Sequence, residues 1–348
     1  MNEMTQLKRF RSEIPQRDLT ELQTQENRLL AAIADQPSAG VDRAARRPRF
    51  TNRLRLGLTG LAVATMTAGI LTIVIDSEPD APQTIHVMPM AASQVLKRAA
   101  DNVGMTPELH PEPGQFLVFE SQTMNPSYGE DRQGRLERHL YRTKRKVWLP
   151  AEGDATGGVI EGELLAPKPF PGWPLSPEAS ENVGRSGPSK LADFDDRAEY
   201  LRNDYAYVSR LPTEPAKMYE HLYSHLGHGA QADTDAWGRV RDLLSEAYLP
   251  AAQRAALFRA AAAMPGVITV DHAVDAAGRT GIAAARVDPV LGERQEYIFD
   301  RKTYGYLGER SVVTDAARAG APVGSVLTSS AQLKVSVADH APAVVDED

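Results

Sequence analysis

The stretch LGLTGLAVATMTAGILTIVI, residues 56–75, carries no charged side chain. At about 1.5 Å of rise per residue it reaches roughly 30 Å as a helix, the thickness of a bilayer hydrocarbon core. In lipid only a helix satisfies its backbone groups within one segment, so a transmembrane helix is expected. Thr59, Thr65, Thr67 and Thr72 can bond back to carbonyls one turn earlier. Gly57, Gly60 and Gly69 do not fall into GxxxG spacing, so that motif predicts no tight helix pair. A buried core helix would be amphipathic rather than apolar all round. A cleaved signal peptide would have a short lead and an apolar core of about 7–15 residues. Here 55 residues precede the stretch, and the IDSEPDA that follows is a poor cleavage site.

Outward from the stretch, Arg43, Arg46, Arg47, Arg49, Arg53 and Arg55 lie upstream with no acid among residues 43–55, and Asp76, Glu78 and Asp80 lie downstream. Under the positive-inside rule this predicts a single-pass signal-anchor protein of the cell membrane, with a cytoplasmic N-terminus and an extracytoplasmic C-terminal part. Residues 1–55 have 11 basic and 7 acidic side chains, net +4; residues 76–348 have 28 and 39, net −11. The positive part suits an anionic inner leaflet. The negative part argues against nucleic acid as a partner. With no cysteine in 348 residues, disulfide frameworks, thiolate metal sites and Cys nucleophiles are excluded.

Residues 1–35 read as a cytoplasmic helical segment. Met4, Leu7, Phe10 and Ile14 share helical spacing up to Pro15. Asp18 with Glu21 resembles a capping box opening a second helix, whose stripe is Leu19, Leu22, Leu29, Leu30 and Ile33. Helices this short are marginal alone in water. The segment is therefore a loosely ordered tail, a docking stripe for a cytoplasmic protein, or a membrane-surface helix. Residues 36–55 form a basic juxtamembrane linker and residues 76–92 a Pro-containing stalk.

Residues 93–338 read as an extracytoplasmic α+β domain, closed by an acidic tail at 339–348. A first helix carries Ala91, Val95, Leu96, Ala99 and Val103 on one face and stops at Gly104. Strands are expected at 115–123, 135–149, 158–165, 267–271, 281–288, 294–300, 305–313 and near 331–338. Residues 166–193 are rich in Pro and Gly and read as a loop, with Trp173 as an anchor onto the sheet or a ligand contact. A helical block is expected between them. It comprises residues 193–204, a helix to about 226 with Thr213 as N-cap and Gly227 as stop, and an αα pair over 233–247 and 250–264. Asp300–Thr303 make a tight turn. Strands grouped on either side of helices indicate a mainly antiparallel sheet with a helical insertion.

Chemistry is sparse. His221, His225 and His228 lie within EHLYSHLGH, and the first two, at i and i+4, would share one helix face as zinc ligand pairs do. Histidines near a helix C-terminus are also favoured by the dipole alone. Arg142, Lys144, Arg145 and Lys146 either bind an acidic envelope polymer or keep a strand soluble. No GxSxG, P-loop or GxGxxG occurs, so the sequence supplies no reason to expect an enzyme or a cofactor.

LLAAI at 29–33, the Arg-flanked span, WLP at 148–150, LPTEP at 211–215, YLP at 248–250, the MPGV turn and RQEYIFDRKTYGYLGERSV at 294–312 carry a resemblance across nearly the whole chain. It resembles an uncharacterised group of actinobacterial single-pass membrane proteins often encoded beside extracytoplasmic-function sigma factors. The resemblance implies a membrane partner of a sigma factor, anti-sigma-like, and a curved, half-barrel-like sheet outside. The His/Cys zinc motif of one anti-sigma class is absent, since residues 1–55 contain neither residue. The sequence-level reading is a sensor whose outside domain binds an apolar or envelope-derived ligand. The alternative is an anchored carrier or scaffold for envelope lipids with no cytoplasmic signalling role.

Overall fold

The computed structural model describes residues 92–130, 134–153, 156–181, 183–191 and 198–344. The cytoplasmic stripe, the basic linker, the 56–75 span and nearly all of the stalk lie outside the described residues. Among the described residues no helix is long and apolar enough to cross a membrane.

The architecture is α+β. Helix α1 (Ala92–Asp101) precedes strands β1 (Phe116–Glu130), β2 (Leu136–Pro150), β3 (Val159–Pro169) and β4 (Gly184–Lys190). Helices α2 (Tyr205–Val208), α3 (Pro215–Tyr223), α4 (Ala230–Leu244) and α5 (Ala251–Ala262) follow. The chain then forms β5 (Ile268–Val274), β6 (Thr280–Asp288), β7 (Glu293–Phe299), β8 (Tyr306–Val313), α6 (Ala316–Ala319) and β9 (Val326–Ala338). The nine strands make one open sheet in the order β4-β3-β2-β1-β9-β8-β7-β6-β5. Every neighbouring pair is antiparallel; short turns join β1–β2, β5–β6, β6–β7 and β7–β8, longer connections join β3–β4 and β8–β9, and β9 returns to pair with β1.

Alternation assigns the faces. Leu117 and Phe119 lie with Leu149, Val335 and Val337 toward Tyr248 of the helical block, while Val118, Trp148 and Val159 face the other way. Ala341 and Val344 pack against that second group, so part of the C-terminal tail covers the sheet. The largest core lies between the helices and β6–β7, where Leu96, Trp237, Leu257 and Phe258 meet Tyr297 and Phe299. Trp237 stacks on Tyr297 at 4.4 Å between ring centroids.

The Pro/Gly-rich loop expected over 166–193 requires correction. Strand β3 runs to Pro169, and β4 pairs with it through Ile160–Ser189 and Glu163–Arg185. GRSGPSK shows no apolar alternation because an edge strand exposed on both faces needs none. Pro188 sits beside a register shift, where a missing N–H costs no ladder bond. Trp173 is an anchor: it packs on the Met124–Leu140–Phe170 cluster and lies 4.8 Å from the Arg138 guanidinium. Within 198–208, the described part of the next segment holds a single 3-10 turn at Glu199–Leu201 and the four-residue α2, capped by Asp204.

At the β5 end the sheet folds over. The β5–β6 turn reaches across: the Ala276 N–H donates to Ser330 O of β9 and Gln122 Nε2 of β1 donates to Ala276 O. The space enclosed on that face is filled by Ala273, Ala283, Ala285 and Ile298. Beside them stands a buried ion triad. Arg294 Nε and Arg310 Nε each donate to a carboxylate oxygen of Glu296 at 2.8 Å, and the Glu296 side chain is 0% exposed.

Candidate functional site

On the opposite, helix-covered face a cleft of about 300 Å³ opens where β8 and β9 part. Their pairing ends at Gly308–Ala331, and the close approach there would set a Cβ on Gly308 2.2 Å from Ser330 O. On its other side β9 bulges, with Ser121 opposite Gln332 and Glu120 opposite Lys334, which leaves Leu333 unpaired. Backbone carbonyls at the gap would lack partners, and Arg279 supplies them. Its Nη2 donates to Leu307 O at 2.7 Å and Gln332 O at 2.9 Å. Asp275, with a fully buried side chain, holds Nε at 2.6 Å. Nη1 takes part in none of these bonds, and Arg279 lines the cleft.

The helical walls are fixed by long-range capping. Glu108 Oε1 accepts from the Ala251 N–H at 2.8 Å, placing a carboxylate at the α5 N-terminus, where the dipole favours it. The Tyr248 hydroxyl accepts from the Leu109 N–H at 2.6 Å. Arg254 donates to Val103 O, and Arg98 donates to the Tyr304 hydroxyl at 2.6 Å. Tyr304 adopts φ +56° at the end of the Asp300 turn, which points the chain into the cleft mouth. The Lys302 and Thr303 N–H groups donate to the Asp300 carboxylate and hold its pKa below the usual carboxylate range.

The lining combines apolar groups (Leu243, Leu244, Phe258, Val335) with tyrosines and three cations, Arg254, Arg279 and Lys334. It contains no carboxylate. A site of this size lies at the lower end of the roughly 300–1,000 Å³ typical of ligand pockets. Its chemistry suits an apolar chain ending in an anion.

Beside the cleft, Glu309 stands on β8 between Tyr297 and Ser330, beneath α4. Burial pushes its carboxyl up to about 7; Arg241 opposes the shift and Asp242 adds to it. The sign for stability follows from linkage. The folded pKa of about 7 lies above the ordinary value of 4.5, so the folded chain keeps a proton that the unfolded chain has lost. Stability therefore falls as pH rises through that window. Glu309→Gln is expected to recover about 2 kcal/mol at pH 8 after allowance for partial solvation, or about 4–8 °C in Tm, and to change nothing at pH 4. Thermal melts of both proteins at the two pH values check this.

The histidines of 221–228 do not converge. Helix α3 opens with Glu214 at the N-cap and Pro215 at its first position, one residue beyond the expected Thr213 cap, and ends at Tyr223 rather than near 226. Arg239 Nη1 donates to Leu222 O at 3.1 Å and Ser224 O at 2.6 Å, which satisfies the terminal carbonyls and stops the helix early. His225 then takes φ +58° and stacks on Tyr200 at 4.4 Å. His221, whose pKa burial and Arg239 lower, tilts toward Tyr207 instead. Among the described residues no group of three or more His, Asp or Glu is placed to hold a metal ion. The basic run on β2 is laddered with acids: Arg145 meets Glu246 at 2.6 Å and Lys146 meets Glu120 at 3.8 Å.

Arg254, Arg279 and Lys334 carry no motif in the sequence. The signal for Arg279 is tertiary, since the carbonyls it bridges, Leu307 O and Gln332 O, meet only where β8 and β9 separate. Tyr304 and Tyr306 lie within the 294–312 run, but nothing in its spacing gives them a role.

No family model matches the chain, and no curated protein matches it. Among solved structures, the MucA/MucB complex of Pseudomonas aeruginosa matches over 72% of this chain and 58% of that chain, at 12% identity and a TM-score of 0.21. The chain thus spans less than two thirds of that structure's length, and a superposition this loose carries no detail of site or function across.

Proposed function

We propose that the protein is a single-pass membrane sensor whose extracytoplasmic domain binds an anionic amphiphile of the envelope. Occupancy of the cleft biases what residues 1–35 hold in the cytoplasm, and the partner there is a sigma factor. The observation that carries the ligand half is the cleft lining: apolar walls with Arg254 and Lys334, beside Arg279, whose charge is paired with Asp275. The signalling half rests on the sequence, with its Arg-flanked span and the stripe Leu19, Leu22, Leu29, Leu30 and Ile33. A single helix transmits only through a population shift such as a change in association, register or susceptibility to cleavage.

The carrier reading is weaker. The space under the folded-over strands, where a carrier would enclose an acyl chain, is filled by Ala273, Ala283, Ala285 and Ile298. The signalling half is tested by a pull-down of cytosolic proteins with the solubilised full chain and with its Leu22→Asp/Leu29→Asp form. A sigma factor retained by the first and lost from the second is the expected result. Equal recovery by both would remove the stripe as a docking face.

A further inference from the structure

Ten large apolar side chains are strongly exposed among the described residues, and most of them gather at one end of the sheet. The β1–β2 hairpin runs past the last β1–β9 pair, Met124–Ser329, and carries Tyr128 at 60% and Leu136 at 69% exposure near its tip. The β6–β7 turn at the same end presents Val287, Val290 at 61% and Leu291. Val323, at 54%, follows α6 in the β8–β9 connection. These pieces adjoin one another. Arg318 of α6 donates to Pro289 O, and Ala319 and Ala321 pack with Phe170 and Trp173 against the hairpin. Arg138 lies over the rings of Tyr128, Phe170 and Trp173, at 5.3, 5.7 and 4.8 Å. Of these rings Phe170 is buried and Tyr128 is exposed, and an exposed tyrosine beside exposed aliphatics is what a lipid headgroup boundary favours.

The chain also arrives at this end. Asp101 and Val103, at the α1 C-terminus, meet Arg259 and Arg254 of α5. The other end of α1 therefore lies toward the α5 C-terminus, from which β5 starts and pairs with the last residues of β6. Residues 76–91, between the apolar span and α1, reach at most about 55 Å when fully extended.

We propose that this end of the sheet rests on the surface of the bilayer in which the chain is anchored, with Val290, Leu291 and Val323 entering the headgroup boundary. The occupant is lipid, and the inference rests on the membrane-anchor reading. Docking there fixes the domain's orientation and directs the opposite end of the sheet, with the Tyr304 mouth of the cleft, away from the membrane.

The chain lacks cysteine, so one introduced thiol takes one label. An environment-sensitive fluorophore is placed on Val290→Cys, Val323→Cys, Met105→Cys and Ala64→Cys of the full chain in nanodiscs, with and without brominated acyl chains. Met105 is 66% exposed and lies far from the apolar end, on the stretch that leads to the start of β1, while Ala64 reports the span. The first two labels and the Ala64→Cys label are expected to lose most of their emission to bromine, and the Met105→Cys label to lose none. Quenching at Ala64→Cys alone overturns the docking and leaves the anchor. No quenching at any position overturns both. Quenching at Met105→Cys equal to that at Val290→Cys overturns the orientation. Labels shielded from an aqueous quencher yet untouched by bromine assign the surface to a protein instead.

Discussion

Glu296→Ala is expected to lower the stability of the extracytoplasmic domain by about 3–5 kcal/mol, because it strands two guanidinium groups inside the fold. Arg294 is 3% exposed and Arg310 7%, so neither can turn to water without opening the sheet. Both point at the one carboxylate, Arg294 from two residues away on β7 and Arg310 from the facing position on β8. The loss should be far smaller when all three residues are replaced together by apolar side chains of similar volume, since the buried charge then disappears with its partner. Denaturant midpoints for the single and triple variants check the difference. Equal losses would mean that packing, not charge pairing, sets the cost.

Trp237→Ala is expected to cost a similar 3–5 kcal/mol, the range for removing a fully buried aromatic. The indole is 1% exposed, stacks on Tyr297, and joins α4 to the middle of β7. The Tyr297 hydroxyl donates to Trp237 O at 2.5 Å, so the main chain is held even when the ring is lost. The indole Nε1 has no hydrogen-bond partner among the described residues. Trp237→Phe should therefore lose only volume, about 1–2 kcal/mol. Urea unfolding of the two variants separates the aromatic volume from any polar role of the ring.

Much of the fold follows from short-range pattern. The apolar face of α1, the αα pair parted at Pro250 and the turn at Asp300–Thr303 are all local devices, and the structure places them within a few residues of where periodicity does. The long β2 was readable because Gly-rich turns bound it, although neither of its faces is cleanly apolar. Strand β4 was not readable, because an exposed edge leaves no alternation in GRSGPSK. The α3 boundary was missed for a different reason. Gly227 is a good local stop, yet Arg239 from another helix caps Leu222 and Ser224 first, and that separated the histidine pair.

The cleft was the least legible feature. It exists because β8 and β9 separate beyond Gly308, a bulge leaves Leu333 unpaired, and Arg279 arrives from the β5–β6 turn to bridge the gap. Each of those is a relation between segments far apart in sequence. Arg279 is paired with Asp275, so Arg254 and Lys334 give the site its chemical direction, and they come together only once the lining is assembled.

The ligand-binding claim is tested most directly by photocrosslinking a diazirine-bearing fatty acid to the full chain in nanodiscs and mapping the modified peptides. Adducts are expected in residues 243–249, 304–306 and 332–335. They should be suppressed by excess dodecyl sulfate but not by dodecyltrimethylammonium, and lost when Ala247→Trp fills the cleft. Adducts confined to residues 56–75, or labelling of the cleft peptides that is indifferent to the competitor's charge and to Ala247→Trp, would contradict it.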